Sequence, residues 1–224
     1  MYLSRIEVDL NNRQRIKDLT HLGAYHNWVE NSFPEEIQNN SHKRHLWRLD
    51  PLSGKQYLLI LSENRPDIKL LSRYGVPETA LTKPYDHFLD SLAEGQRMRF
   101  RLTANPTYSV YQGEGKRSKV YPHVTIEQQR KWLLKKADAA GFQIVSQKSE
   151  AIEDIDNLAF DIVHRDRPVL HRKAEKGRTI HISRVTFEGV LQIKNIDVFR
   201  QVLISGLGRE KAFGMGLMTV IPIE

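Results

Sequence analysis

The segment Gly206-Leu207-Gly208-Arg209-Glu210-Lys211-Ala212-Phe213-Gly214-Met215-Gly216-Leu217 is the part of the chain whose residue types most directly suggest chemistry. Glycine lets a backbone approach a phosphate closely and aim several N–H groups at it. Gly206, Gly208, Gly214 and Gly216 are therefore candidate phosphate contacts, with Arg209 and Lys211 adding positive charge. The order is not that of a Walker loop, and the segment follows a predicted helix and precedes a predicted strand, the reverse of a dinucleotide fingerprint. A tight glycine-rich turn between helix and strand is the other reading of the same residues.

Nine histidines are present and no cysteine. The lack of cysteine removes disulfides, thiolate nucleophiles, zinc ribbons and iron–sulfur ligation together, and makes a reducing cytoplasm the simplest setting. There is no HExxH motif, dense carboxylate cluster or paired-Asp motif, so a metal site has little support in the sequence. Acid–base chemistry without a metal needs a group that titrates near neutrality, and histidine is the usual one. His42 and His45 stand at i, i+3, a spacing that could suit a metal, but they precede a predicted strand and lack further ligands. They read as surface residues.

Lys and Arg number 34 against 27 Asp and Glu, for a formal charge of +7. The placement says more than the sum. Between Arg97 and Lys136, basic residues far outnumber the acids Glu114 and Glu127. A second basic stretch carries Arg165, Arg167, Arg172, Lys173, Arg178 and Arg184, with an acidic patch at Glu150, Glu153, Asp154 and Asp156 before it. Clustered positive charge is the footprint of a polyanionic partner, although a solvated basic surface has the same composition. No leader-like apolar segment opens the chain, and no apolar run approaches the roughly 20 residues that cross a bilayer. The expectation is a soluble protein with no membrane partner.

The elements that must carry these residues form two similar series. Residues 2–10 read as a strand and 12–32 as a helix that Phe33-Pro34 ends, because proline cannot continue a helix interior. Two strands, His45–Asp50 and Gln56–Leu61, are joined through Pro51-Leu52-Ser53-Gly54-Lys55 as a hairpin. A short helix near 66–73 and further extended structure complete a β-α-β-β-α-β order, and 89–95 reads as a linker.

The order then begins again. Arg97–Ala104 alternates as a half-buried strand does, with Arg101 on it. Residues 125–140 form a basic amphipathic helix with Trp132, Leu133 and Leu134 turned inward, and Gly141 suits its C-terminal cap. Phe142–Val145 and Thr179–Ile193 read as strands, Asp197–Ile204 as a helix and Leu217–Ile223 as a closing strand. Lys116, Arg117 and Lys119 lie in a glycine-rich stretch, 113–121, that reads as a mobile loop. Residues 161–178 read as a loop or hairpin insertion. Two βαββαβ units in series, 1–88 and 96–224, make an α+β chain of tandem ferredoxin-like domains.

The glycine-rich pattern G-x-G-x-x-K-x-x-G-x-G-L before a final strand resembles the signature of CRISPR repeat endoribonucleases. Met1-Tyr2-Leu3-Ser4, His26 seven residues before Phe33-Pro34, His45–Asp50, Arg101–Pro106 and Thr186–Leu191 look like the CasE branch of type I-E systems. These matches run from the first residue to the last segment in the family's order. The resemblance implies a tandem ferredoxin-like fold and binding of a CRISPR repeat stem-loop. It also implies one metal-independent cut at the 3′ base of that stem by attack of the upstream 2′-OH, leaving a 2′,3′-cyclic phosphate and a 5′-OH. The implied partners are precursor and mature crRNA and the other subunits of Cascade. No cofactor is implied.

By its spacing to Phe33-Pro34, His26 matches the family's catalytic histidine. Some members carry a tyrosine three residues earlier, a position that here is Gly23; the nearest tyrosine is Tyr25, about 100° around a regular helix. His21 is the second candidate. The RNA-binding candidates are Arg101, Lys116, Arg117, Lys119, Arg165, Arg167, Arg172, Lys173, Arg178 and the glycine-rich segment. A non-catalytic hairpin-binding subunit is the alternative, and a metal-dependent nuclease or nucleotide-binding enzyme would need motifs that are absent.

Overall fold

The computed structural model describes residues 1–146, 157–171 and 179–223. The first half builds a four-stranded sheet from β1 (Tyr2–Glu7), β2 (Leu46–Leu52), β3 (Lys55–Ser62) and β4 (Leu81–Pro84). The spatial order is β2-β3-β1-β4, with every neighbouring pair antiparallel. That is the ferredoxin-like arrangement, in which the first and third strands are central and each helix crosses one face. Ser53 and Gly54 both take positive φ, the two-residue hairpin turn that matches the twist of β2 and β3.

The second half repeats the arrangement. Its sheet runs β13-β5-β12-β8, from β5 (Arg97–Ala104), β8 (Phe142–Ile144), β12 (Arg184–Ile193) and β13 (Met218–Pro222), again antiparallel throughout. The edge beside β12 is shared. β8 pairs with Leu191–Ile193, and β9 (Phe160–Asp166) takes over from Gly189 back to Arg184. Val145 and Ala159 meet where the two pieces join, with the Ala159 N–H donating to Val145 O at 2.8 Å. One edge of the sheet is thus built from two strands that meet end to end.

The predicted helix over 12–32 is two helices, α1 (Arg13–Ile16) and α2 (Leu22–Asn31). The break follows from His21, whose Nδ1 accepts the Ala24 N–H at 3.1 Å and caps α2, so the chain enters the helix from an extended residue. Phe33-Pro34 does end α2, but Pro34 also opens α3 (Pro34–Gln38), where its missing N–H costs nothing. The predicted strand over Thr179–Ile193 is likewise divided, into β11 (Thr179–His181) and β12. β11 pairs with β10 (Val169–His171).

Of the segment read as a mobile loop, 113–121, and the one read as a loop or hairpin insertion, 161–178, parts are strand among the described residues. The stretch 161–178 begins as β9, in the sheet edge. Lys119 opens β7 (Lys119–Pro122), which pairs with β6 (Thr107–Val110) in a ribbon, leaving Lys116 and Arg117 in its connecting loop. α6 (Ile126–Ala139) starts at a capping box formed by Thr125 and Gln128, and α7 (Ile196–Ser205) leads into the glycine-rich segment.

The helices cover the inner faces of the sheets. Leu22, Trp28 and Val29 of α2 are buried with Ile6, Leu58 and Ile60 of the first sheet. Met215 of the glycine-rich segment and Ile182 belong to the same cluster, so the end of the chain completes the core of its beginning. The other cluster joins Leu46 and Leu61 to the second sheet, and includes Leu89 and Leu92 from the connecting residues. Arg200 of α7 donates to the carbonyl oxygens of Leu89, Asp90 and Leu92, which holds this connection against the second half. Among the described residues no helix is long and apolar enough to cross a membrane.

Candidate active site

α2 carries His26, and its position follows from the helix that carries it. With Trp28 and Val29 committed to the core, His26 and Glu30 fall together on the flank one turn apart. The glycine-rich segment comes against this flank. The Phe213 ring stands beside the His26 imidazole, centroids 6.1 Å apart and planes tilted by 57°. His26 and Glu30 then form one wall of a cleft whose other walls are Gly208–Ala212 and the pair Lys43 and Arg44.

Several anchors hold the glycine-rich segment in place. Trp47 Nε1 donates to Ala212 O at 3.1 Å, and Gly216 N–H to Thr103 O at 2.7 Å. Gly206, Gly208, Gly214 and Gly216 all have positive φ, from 78° to 90°. A Cβ on Gly214 would lie 2.6 Å from the Trp47 ring, and one on Gly206 would lie 2.8 Å from Leu46. These glycines therefore serve the path of the chain, as a turn from helix to strand would require. Of the four, Gly208 is the one that lines the cleft. Glu210 also takes positive φ, 59°, which is uncommon for a residue with a side chain.

Four cations, Lys43, Arg44, Arg209 and Lys211, line the cleft against two carboxylates, Glu30 and Glu210. Lys211 donates to Ser205 O at 2.7 Å, so its ammonium is held at the end of α7. Its pKa is pushed below the ordinary lysine value, chiefly by burial and then by the nearby Arg44 charge. Lys43 and Arg44 were not among the residues singled out from sequence. The signal that could have found them is the run His42-Lys43-Arg44-His45, four consecutive basic or titratable residues just before a buried strand.

Behind the cleft lies His45, and its expected surface position is corrected here: the side chain is 1% exposed. The ring stacks on Phe33, centroids 3.8 Å apart and planes within 8°. Its Nδ1 lies 2.9 Å from Glu30 Oε1 and its Nε2 3.3 Å from Glu36 Oε2. Glu36 also accepts from Asn64 Nδ2 at 2.8 Å and from the Lys43 N–H at 3.0 Å. Burial opposes ionisation of Glu36, but the bonds from Asn64, Lys43 and His45 outweigh it and bring its pKa below the ordinary carboxylate value. Among the described residues no group of His, Cys, Asp or Glu is placed to hold a metal ion.

The remaining candidates lie elsewhere. Tyr25 packs against Trp28 and Trp47 at the edge of the first core, with centroids 6.3 and 6.1 Å away, and burial raises its pKa above the usual phenol value. His21 caps α2 and shares a second depression with Gly23, His26 and Glu30, one that Lys43 does not line. Arg101 is engaged between the sheets, paired with Asp50 at 3.2 Å and with Glu188. Lys116, Arg117, Lys119 and Arg167 are exposed on the ribbon and after β9. Arg165 is exposed as well, and donates to Val124 O at 2.6 Å. Arg172, Lys173 and Arg178, and the acidic patch at 150–156, lie outside the described residues.

The model of the family described as CRISPR associated protein matches residues 1–222, essentially the whole chain. The chain belongs to this family. Within the CRISPR associated protein family, it is 27% identical over 224 residues to the CRISPR-associated endoribonuclease Cse3 of Thermus thermophilus, covering 99% of this chain and 100% of that one. A solved structure of Cse3 bound to a 19-nucleotide RNA superimposes with a TM-score of 0.80 at 25% identity, covering 99% of this chain and 100% of that one. A chain in a CRISPR RNA-guided surveillance complex, captured before nicking, shares the fold with a TM-score of 0.63 at 23% identity and full coverage of both.

Proposed function

We propose that this chain is a metal-independent endoribonuclease that binds the CRISPR repeat stem-loop and cuts precursor CRISPR RNA at the 3′ base of the stem. The observation that carries the reading is the meeting of His26 with the glycine-rich segment in one cationic cleft. An imidazole can exchange protons near neutral pH, and the surrounding Lys43, Arg44, Arg209 and Lys211 suit the doubly negative charge that develops on a phosphate under attack.

In the proposed step His26 takes the proton of the 2′-OH as the 2′ oxygen bonds to phosphorus. The bond from phosphorus to the 5′ oxygen breaks, that oxygen leaves with the electron pair and takes a proton from solvent water, and the products are a 2′,3′-cyclic phosphate and a 5′-OH. The imidazolium then gives up its proton, so no proton is gained or lost overall. The 27% identical Cse3 is named an endoribonuclease, which supports assigning cleavage rather than binding alone.

The ribbon of β6 and β7, with Lys116, Arg117 and Lys119, and Arg165 and Arg167 beyond it, supplies the charge for the stem. Duplex RNA is recognised mostly through phosphates, 2′-hydroxyls and shape, which suits exposed cations on a projecting ribbon. Retention of the product within Cascade belongs to the same reading, supported by the shared fold of a chain in a surveillance complex. So does a cytoplasmic setting, and a division into an N-terminal domain, 1–88, carrying His26 and a C-terminal domain, 96–224, carrying the RNA-binding segments.

The test is cleavage of the cognate repeat RNA in EDTA by the wild type and by His26→Ala. One cut at the 3′ base of the stem, absent in the variant while binding persists, is the expected result. Binding without cleavage by the wild type would instead make the chain a non-catalytic hairpin-binding subunit.

A further inference from the structure

We infer that Glu30, held in place by His45, is the positioning residue that fixes the orientation and tautomer of His26. The inference rests on the reading of His26 as the proton-transfer group and adds the residues that set it.

Two observations on His26 point this way. Its Nδ1 is buried and has no hydrogen-bond partner, an uncommon state for a ring nitrogen beside an open cleft. The carboxylate facing it is Glu30, with Oε1 3.8 Å from Nδ1. That is too long for a hydrogen bond, but catalytic hydrogen bonds are often long in the free enzyme and tighten when substrate binds. Because Glu30 follows His26 by one helical turn, the pair can close through a small rotamer change with no movement of the backbone.

The same Oε1 is already gripped from the other side by His45 Nδ1 at 2.9 Å. His45 is itself fixed by Glu36 and by the stacked Phe33. An imidazole with 1% exposure, set between two carboxylates, is costly to build for packing alone. What it achieves is to hold the Glu30 carboxylate at one place beside His26. An ionised carboxylate only accepts hydrogen bonds, so it selects the His26 tautomer with hydrogen on Nδ1. Nε2 then carries the lone pair, the free acceptor of the ring. Glu30 touches no substrate in this scheme; it acts through His26.

The experiment combines histidine ring-nitrogen NMR on the wild-type protein bound to repeat RNA blocked at the cleavage site, where the Glu30 contact is closed, with single-turnover cleavage of the unblocked RNA. Above the histidine titration range, the His26 resonance, assigned by its loss in His26→Ala, is expected to show the Nδ1–H form. The Glu30→Gln variant is expected to move it towards the commoner Nε2–H form. That variant is also expected to cleave roughly 10- to 100-fold more slowly while its RNA affinity stays within about twofold. Glu30→Asp, which keeps the charge on a shorter arm, should recover part of the rate. An Nε2–H form in the wild type overturns the inference, and needs no variant to fold. If His26→Ala is inactive but Glu30→Gln cleaves at the wild-type rate, Glu30 is not the positioning residue and the reading of His26 stands. If His26→Ala cleaves normally, both fall.

Discussion

The Trp47 indole Nε1 donates to the Ala212 carbonyl oxygen at 3.1 Å, joining the second strand of the first sheet to the middle of the glycine-rich segment 165 residues later. The ring of the same tryptophan lies under Gly214, so Trp47 both ties the segment and sets how closely it can approach.

Gly214→Ala tests that relationship. The added methyl must adopt φ near 78° and press on the Trp47 ring. The left-handed conformation costs about 1–2 kcal/mol and overpacking about 1–3 kcal/mol more. We expect a lower melting temperature, and a cleavage rate that falls further than RNA affinity does, because Phe213 is carried away from His26. Thermal unfolding and single-turnover rates on one preparation measure both.

Arg48 is the second tie between the halves. It is 1% exposed, donates to the Arg101 and Leu217 carbonyl oxygens at 2.7 and 2.8 Å, and forms a bidentate pair with Asp50 at 2.7 Å. Removing the guanidinium takes the bidentate donor from the Asp50 carboxylate, which keeps Arg101 at 3.2 Å, and a charged donor from the two carbonyls. Arg48→Met should therefore cost about 3–5 kcal/mol in denaturant unfolding. Arg48→Lys should recover little of it, because an ammonium cannot reproduce the planar fork.

Glu36 predicts an acid-sensitive component of stability. Its folded pKa lies below the ordinary value, so on acidification the unfolded chain binds the proton first. The contribution is complete above the unfolded value of about 4.3 and is lost as pH falls through the lower folded value. The stability difference between wild type and Glu36→Gln should be constant near neutrality and shrink below about pH 4. Chemical denaturation across that range checks it; a difference that grows on acidification contradicts the assignment.

Lys211 predicts an alkaline limit to RNA binding. Burial and Arg44 lower its pKa, so its charge is lost at lower pH than that of an exposed lysine. Affinity for an RNA blocked at the cleavage site should decline between neutral pH and about pH 10, and Lys211→Arg should remove the early part of that decline. Lys211→Met should also reduce the slope of log affinity against log salt by about one.

What the sequence determined by itself is largely local. Alternation laid out Arg97–Ala104 as a strand because each half-buried strand declares its two faces in neighbouring residues. Gly141 marked the C-terminal end of α6 because capping is settled within a few residues. The order of such elements was enough for a tandem ferredoxin-like arrangement, and the glycine-rich pattern for the family resemblance.

The tertiary structure alone decided which distant residues share a site. No periodicity shows that Phe213 reaches His26, or that Met215 completes the core around Trp28. His45 read as a surface residue because nothing nearby in sequence announces that Glu30, Glu36 and Phe33 enclose it. Arg101 read as a candidate RNA contact, and only the fold shows its pairs with Asp50 and Glu188, which come from strands of both sheets. The physical reason is common to these cases. Backbone geometry is governed by neighbours a few residues away, whereas burial and charge pairing depend on which surfaces meet after the chain has folded.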